Sequence, residues 1–270
     1  MSTSQKTPSH QARKRFGQNF LRDPGIIDRL ERSIAPAQSE HLVEIGPGLG
    51  ALTDALLQSG CQLDAVELDR DLITPLLAAF SIYPNFTLHS ADALKFDFAS
   101  VISDHEQLRI VGNLPYNIST PLIFRLLEQA SIIKDMHFML QLEVVQRLTS
   151  QPGNKHWGRL GIMAQYLCKT ELLFEVPPEA FDPPPKVQSA IIRLTPHPSP
   201  LFPDCNTDLL KQVVKASFAQ RRKTLRNNLK GLLSDEAIQS LDIDPGCRAE
   251  TLELEQFVML SRQLAISDSC

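Results

Sequence analysis

The chain has 270 residues, enough for one large domain or two smaller ones, and at 43% hydrophobic and 21% charged it can bury an ordinary core. No apolar run approaches the roughly 18 residues of a membrane span. The net charge of −4 gives no overall attraction to nucleic acid, although the distribution of charge can override the sum.

Met1–Arg15 is polar and basic with no apolar stretch behind it, so it is not expected to be a secretory signal. From His41 to about Arg193, strand-like and helix-like segments alternate. Strands are expected at His41–Ile45, Gln62–Glu67, Asn85–His89, Leu108–Val111, Asp135–Leu140, Leu172–Val176 and Val187–Leu194. Helices are expected near Leu49–Ser59, Arg70–Phe80, Thr120–Glu128, Glu143–Ser150 and Leu160–Cys168. That order predicts an α/β fold with a mostly parallel sheet covered on both faces. Prolines 196, 198, 200 and 203 then read as a linker. Beyond Asp208 the periodicity is helical with no clear strand, which predicts a small all-α unit. The cysteines (Cys61, Cys168, Cys205, Cys247, Cys270) are scattered without a C-x-x-C, as in a reduced cytoplasmic protein with neither zinc nor disulfides.

Val43-Glu44-Ile45-Gly46-Pro47-Gly48-Leu49-Gly50 runs from a strand into a glycine-rich turn that opens a helix. Glycines let the backbone approach a ligand closely. No Gly-Lys-Ser/Thr follows, so this is not a P-loop, and the G-x-G-x-x-G spacing of dinucleotide sites is absent. Glu67 ends the next strand, where an acid can bond both hydroxyls of a ribose. Asp92 follows the third strand and could accept from an adenine amine. The bland alternative is a tight turn with two solvated acids. The phasing of all three favours S-adenosylmethionine over NAD.

Asn113-Leu114-Pro115-Tyr116 follows the strand-like run Leu108–Val111. In open α/β sheets ligands bind at carboxyl ends of strands. The tetrapeptide offers an amide, a carbonyl held by the following proline, and an aromatic face, three groups suited to a nucleobase amine. Asn113 Oδ1 and the Leu114 carbonyl could accept both N–H bonds of an adenine N6, favouring a pyramidal nitrogen. Tyr116 could stack on the base. Asn113 is neutral, so its role would be orientation and not proton abstraction. The alternative is a plain turn with Tyr116 in the core.

Residues 211–230 hold Lys211, Lys215, Arg221, Arg222, Lys223, Arg226 and Lys230 and no acid. This reads as an RNA phosphate surface, with a solvated helix face as the alternative. Arg13-Lys14-Arg15 forms a second basic cluster. His137, within an apolar run, is expected in the core. Trp157, in the loop Lys155-His156-Trp157-Gly158-Arg159, is assigned no contact with RNA.

Arg13–Leu21, Val43–Thr53, Val66–Leu72, Gly112–Pro121, Phe181–Ala190 and Gln220–Asn228 together make the chain resemble the bacterial small-subunit ribosomal RNA adenine dimethyltransferase family over nearly its whole length. The resemblance implies a Rossmann-like class I S-adenosylmethionine-dependent methyltransferase with a seven-stranded sheet over residues 1–198. Residues 1–40 would contribute to the cofactor site, and residues 207–270 would form a helical RNA-binding domain. It implies that Asn19, Leu21, Gly46, Glu67, Asp92 and Asn113 contact the cofactor, and that Asn113, Leu114 and Tyr116 hold the base. Phe181 would be a second stacking face, where the residues alone suggest core. Gly50 carries little weight, because the family varies there. Arg221, Arg222, Lys223 and Arg226 would meet RNA. The implied reaction is dimethylation of N6 on two neighbouring adenosines of the 3′-terminal hairpin of 16S RNA in the 30S subunit. A sulfonium methyl is already electrophilic, so no metal is expected, and a monomer is the default expectation. A non-catalytic assembly factor and a 23S RNA enzyme of the macrolide-resistance type are the alternatives.

Overall fold

A computed structural model describes residues 18–102, 107–115 and 118–267. The Arg13–Arg15 cluster and Tyr116 lie outside the described residues. The chain opens with a two-residue strand β1 (Phe20–Leu21) and helix α1 (Pro24–Ile34). Asp23 caps α1 by accepting from the Ile26 amide at 3.0 Å, and Pro24 takes the first helical position. There the missing N–H costs nothing. Then follow β2 (His41–Ile45), α2 (Ala51–Gln58), β3 (Gln62–Glu67), α3 (Arg70–Phe80), β4 (Phe86–Ser90), β5 (Leu108–Asn113), α4 (Ser119–Glu128), β6 (Ile133–Gln141), α5 (Leu142–Thr149) and α6 (Arg159–Leu167). The remainder is β7 (Cys168–Val176), β8 (Phe181–Asp182), β9 (Ser189–Pro196), α7 (Thr207–Ser217), α8 (Leu225–Asn228), α9 (Asp235–Gln239) and α10 (Leu254–Ser267).

Seven strands form one sheet in the order β4-β3-β2-β5-β6-β9-β7. The first five are mutually parallel, and β9 runs antiparallel to both its neighbours. The expected mostly parallel sheet is therefore present, with β9 as its one reversed strand. Every residue of β2 is buried, as a strand covered on both faces requires. Leu42 and Leu63 face α1, α2 and α3 in one core. Val43, Ile45, Val66 and Ile110 face α4 and α5 in another. Strand order turns back between β2 and β5, leaving a crevice outside their carboxyl ends, the usual ligand position in such sheets.

Two features of the frame were not expected from sequence. Helix α1 covers the sheet, and its last carbonyls, Ile34 O and Ala35 O, accept from the Arg109 guanidinium at 2.6 and 3.4 Å. The same guanidinium binds Asp135 through two 2.9 Å bonds and Glu40 at 2.7 Å. Strand β1 pairs with β8, placing Leu21 opposite Phe181.

The helices after residue 207 share a third core with α6 and the loop before it. Trp157, Ile162, Met163 and Tyr166 pack there with Leu210, Val214 and Phe257. The Trp157 indole N–H donates to Leu252 O at 2.9 Å, and the residue is buried. His137 is buried in β6 as expected. Among the described residues no helix is long and apolar enough to cross a membrane.

Candidate active site

The crevice at the turning point is a cavity floored by the ends of β2, β3 and β5 and roofed by residues 18–21. It gathers every predicted cofactor residue: Asn19, Leu21, Gly46, Glu67, Asp92 and Asn113 all line it, and so does Leu114. Gly46, Gly48 and Gly50 each have positive φ, which turns the chain sharply from β2 into α2. At Gly50 a Cβ would sit 2.4 Å from the Phe80 ring, so this glycine serves packing between α2 and α3 whether or not it touches a ligand. Gly112 is the tighter constraint: a Cβ there would lie 2.4 Å from the Ile45 carbonyl oxygen. The close approach of β5 to β2 is what brings Asn113 to the glycine turn.

Glu67 ends β3 and is buried. Its Oε1 accepts from the Asp69 amide at 2.7 Å and its Oε2 from the Gly48 amide at 3.4 Å. Burial raises its pKa above the ordinary glutamate value, and those backbone donors work against that rise. A carboxylate has about four acceptor sites, so capacity for hydroxyl donors remains. Asp92 follows β4, and its Oδ1 accepts from the Leu94 amide at 2.9 Å, fixing the turn.

Asn113 donates through Nδ2 to Asn19 O at 3.0 Å. A carbonyl can only accept, so the amide orientation follows from its partner. Oδ1 is the atom left over, and nothing among the described residues donates to it. Leu114 donates its amide to Met139 O at 3.2 Å. Its own carbonyl, ahead of Pro115, receives no hydrogen bond among the described residues. Two acceptors with no donor among the described residues therefore belong to consecutive residues at the end of β5. Phe181 is placed differently from the rest: it is 5% exposed, packs in the core with Leu21, and does not line the cavity.

Three lining residues had no role in the sequence reading. Gln18 Nε2 donates to Asp69 Oδ2 at 2.9 Å, tying the roof to the start of α3. Glu44 is 2% exposed, and Thr53 Oγ1 donates to its Oε2 at 2.6 Å. Burial pushes the Glu44 carboxyl up to about 7, the Thr53 bond opposes this, and the Glu67 charge adds to it. The signal was an acid inside an otherwise apolar strand. Met139 reaches the cavity from β6, and no sequence pattern distinguishes it from a core residue.

The predicted RNA residues lie away from the cavity, around the turn between α7 and α8, and all four are exposed. Arg221 donates to Lys155 O and pairs with Glu250 at 3.4 Å. Arg226 pairs with Asp235 at 2.5 Å. Arg222 and Lys223 have no ion pair among the described residues.

The family model described as ribosomal RNA adenine dimethylase matches residues 9–265. A protein of Pseudomonas aeruginosa named ribosomal RNA small subunit methyltransferase A is 59% identical over 256 residues, covering 95% of this chain and 96% of its own. A Saccharophagus degradans protein of the same name is 58% identical over 255 residues, covering 94% and 95%. Among solved structures, a dimethyladenosine transferase from Plasmodium falciparum superposes with a TM-score of 0.77 at 26% identity, covering 89% and 95%. The 23S rRNA methyltransferase ErmE superposes with a TM-score of 0.71 at 26% identity, covering 92% and 100%.

Proposed function

The chain belongs to the ribosomal RNA adenine dimethylase family, and from that premise we propose that it dimethylates N6 of two adjacent adenosines in the 3′-terminal hairpin of 16S RNA within the small ribosomal subunit. It is an S-adenosylmethionine-dependent ribosomal RNA methyltransferase. The small-subunit target is favoured over a large-subunit one by degree of likeness. Relatives named for the small subunit share 55–59% of residues, against 26% for the ErmE structure at similar coverage. We further propose a monomer acting in the cytoplasm during subunit biogenesis.

The residues present fit the cofactor. Glu67 is held rigid by two backbone amides at the cavity floor, which suits a ribose diol. Asp92 offers a carboxylate to an adenine amine, while Asn19, Leu21 and Gly46 close around the remainder. When bound, S-adenosylmethionine supplies an electrophilic methyl group on a sulfonium.

The observation that carries the reading is the Asn113 amide locked by Asn19 at the cavity edge. Asn113 Oδ1 and Leu114 O accept the two N–H bonds of the target amine and so aim its lone pair into the cavity. Placement of this kind can supply much of a rate enhancement. Asn113 stays neutral throughout, and the proton released on methylation passes to water. Tyr116 stacks on the extruded base, worth about 1–3 kcal/mol, which offsets part of the few kcal/mol needed to extract it. Phe181 as a second face asks more, because its ring is packed beside Leu21 and would have to turn outward. The basic residues Arg221, Arg222, Lys223 and Arg226 meet RNA phosphates. The test is mass mapping of 16S RNA after undermethylated small subunits are incubated with the protein and labelled cofactor. Two dimethylated neighbouring adenosines are expected, and label elsewhere or none at all overturns the assignment.

A further inference from the structure

Two of the four cations assigned to RNA are already engaged within the protein, Arg221 with Glu250 and Lys155 O, and Arg226 with Asp235. The engagement of Arg221 draws in a segment that sequence left aside. The loop between α5 and α6 is pinned at three points to the segments that connect the C-terminal helices. Gly153 N donates to Glu250 O at 2.7 Å, the Trp157 indole donates to Leu252 O at 2.9 Å, and Arg221 holds Lys155 O. Within the loop, Asn154 Oδ1 accepts from His156 N at 2.9 Å, and Trp157 N donates to Asn154 O at 2.9 Å. The loop is thus preorganised, and it carries Lys155 to the Arg222-Lys223 turn.

Beside it lies an open notch lined by Gln146, Thr149, Ser150, Asn154, Lys155 and His156. None is acidic. Thr149 and Ser150 turn their hydroxyls inward, to Val145 O at 2.9 Å and Arg147 O at 3.2 Å. The side chains of Gln146, Lys155 and His156 make no hydrogen bond among the described residues. The notch therefore presents donors and one fixed positive charge to solvent. Of the nearby acids, Glu250 is paired with Arg221 and Arg248, and Glu143 lies one turn before Gln146 on α5.

We propose that this notch binds the phosphodiester backbone of the ribosomal RNA substrate, so that the RNA surface runs from Arg221, Arg222 and Lys223 across Lys155 onto α5, with Arg221 acting in addition as a strut that positions Lys155. This rests on the functional reading above and adds a contact surface to it. Phosphate contacts of this kind give affinity without sequence choice and are steeply sensitive to salt.

The test uses the full chain and two probes, a protein-free transcript of the 3′-terminal small-subunit hairpin with its flanking helices, and undermethylated small subunits. For Lys155→Glu, transcript affinity is expected to fall at least five-fold at low salt, and the log–log salt slope by about one. Cofactor affinity and melting temperature should be unchanged. Lys155→Ala, which adds no repulsion, should give the same slope change. In the Lys155→Ala background, Arg221→Ala should cost less affinity than in wild type, and full additivity overturns the strut. An unchanged slope in both Lys155 variants overturns the surface. So does a loss seen only on assembled subunits, since it would make the partner a ribosomal protein. Wild-type methyl transfer is read in parallel: if wild type transfers none, the functional reading itself has failed, whereas wild-type transfer with an unaltered Lys155 slope fails the surface only.

Discussion

An amide that must accept hydrogen bonds from a base has to be held one way round, and Asn113 is held by the Asn19 carbonyl. Removing the side chain removes both the acceptor and its anchor. Asn113→Ala should lower kcat on the order of 10²-fold, the scale of a misplaced reacting group, with RNA affinity nearly unchanged in a binding assay. Asn113→Asp keeps an acceptor oxygen but has no N–H for Asn19 O, so it should not rescue the rate. Glu44 makes a prediction of a different kind. Its pKa is about 7 in the fold against an ordinary 4.5. Between those values the folded protein keeps a proton that the unfolded chain has released, so stability falls as pH rises through that window. The loss is on the order of 3 kcal/mol when complete. Glu44→Gln cannot ionise, and Thr53 can still donate to its amide oxygen. Urea midpoints at pH 5 and pH 8.5 should therefore differ less for the variant than for wild type.

At the level of elements, polar side chains tie the sheet to its covering. Asp64 in β3 accepts from His41 of β2 and His89 of β4, each at 2.5 Å, linking three strands. Arg109 of β5 joins α1, β6 and the segment before β2. Replacing Arg109 by Met should destabilise by roughly 3 kcal/mol, because half-buried Asp135 loses the guanidinium that binds both its oxygens, while Glu40 keeps Lys134 at 2.6 Å. Burial pushes the Asp135 carboxyl up, and His137 and Arg109 together outweigh it and hold the carboxyl down to about 2. A depressed carboxyl pKa gives stability that is full above the ordinary value of 3.8 and lost as pH falls toward 2. The deficit of the variant should accordingly shrink over that range in denaturation curves. None of these ties was legible in sequence, since each joins residues 23 to 75 positions apart. The strands themselves were legible because short runs such as His41–Ile45, apolar at Leu42, Val43 and Ile45, are bounded by turns, and α3 was found to the residue. Helix α1 was missed although Asp23-Pro24 is a start signal and Ile26, Leu30 and Ile34 share a face. The pair β1–β8 is too short to carry any period. The cavity residues were found because glycines and acids at strand ends have few other reasons to be there. Lys155 was passed over because a lysine in a polar loop has many.

For the whole molecule the question is whether the C-terminal helices are an appendage. The division proposed at residues 198–207 follows the proline-rich path of the chain, yet the third core crosses it. Trp157, Ile162, Met163 and Tyr166 lie before the division and are buried against residues after it. A chain ending at residue 198 would return these four side chains to water. At about 1.5–3 kcal/mol for each large apolar side chain, the loss is comparable with the 5–15 kcal/mol that holds a domain folded. The shortened chain should therefore unfold or aggregate even though its sheet and cofactor cavity are complete in sequence. Trp157 is the only tryptophan, so its emission reports this seam directly. In the full chain, fluorescence and far-ultraviolet circular dichroism should follow one transition in urea. If the indole signal changes first while the sheet persists, the helices are a separable unit, and the RNA surface shared between α5 and the α7–α8 turn would then depend on a hinge and not on a shared core.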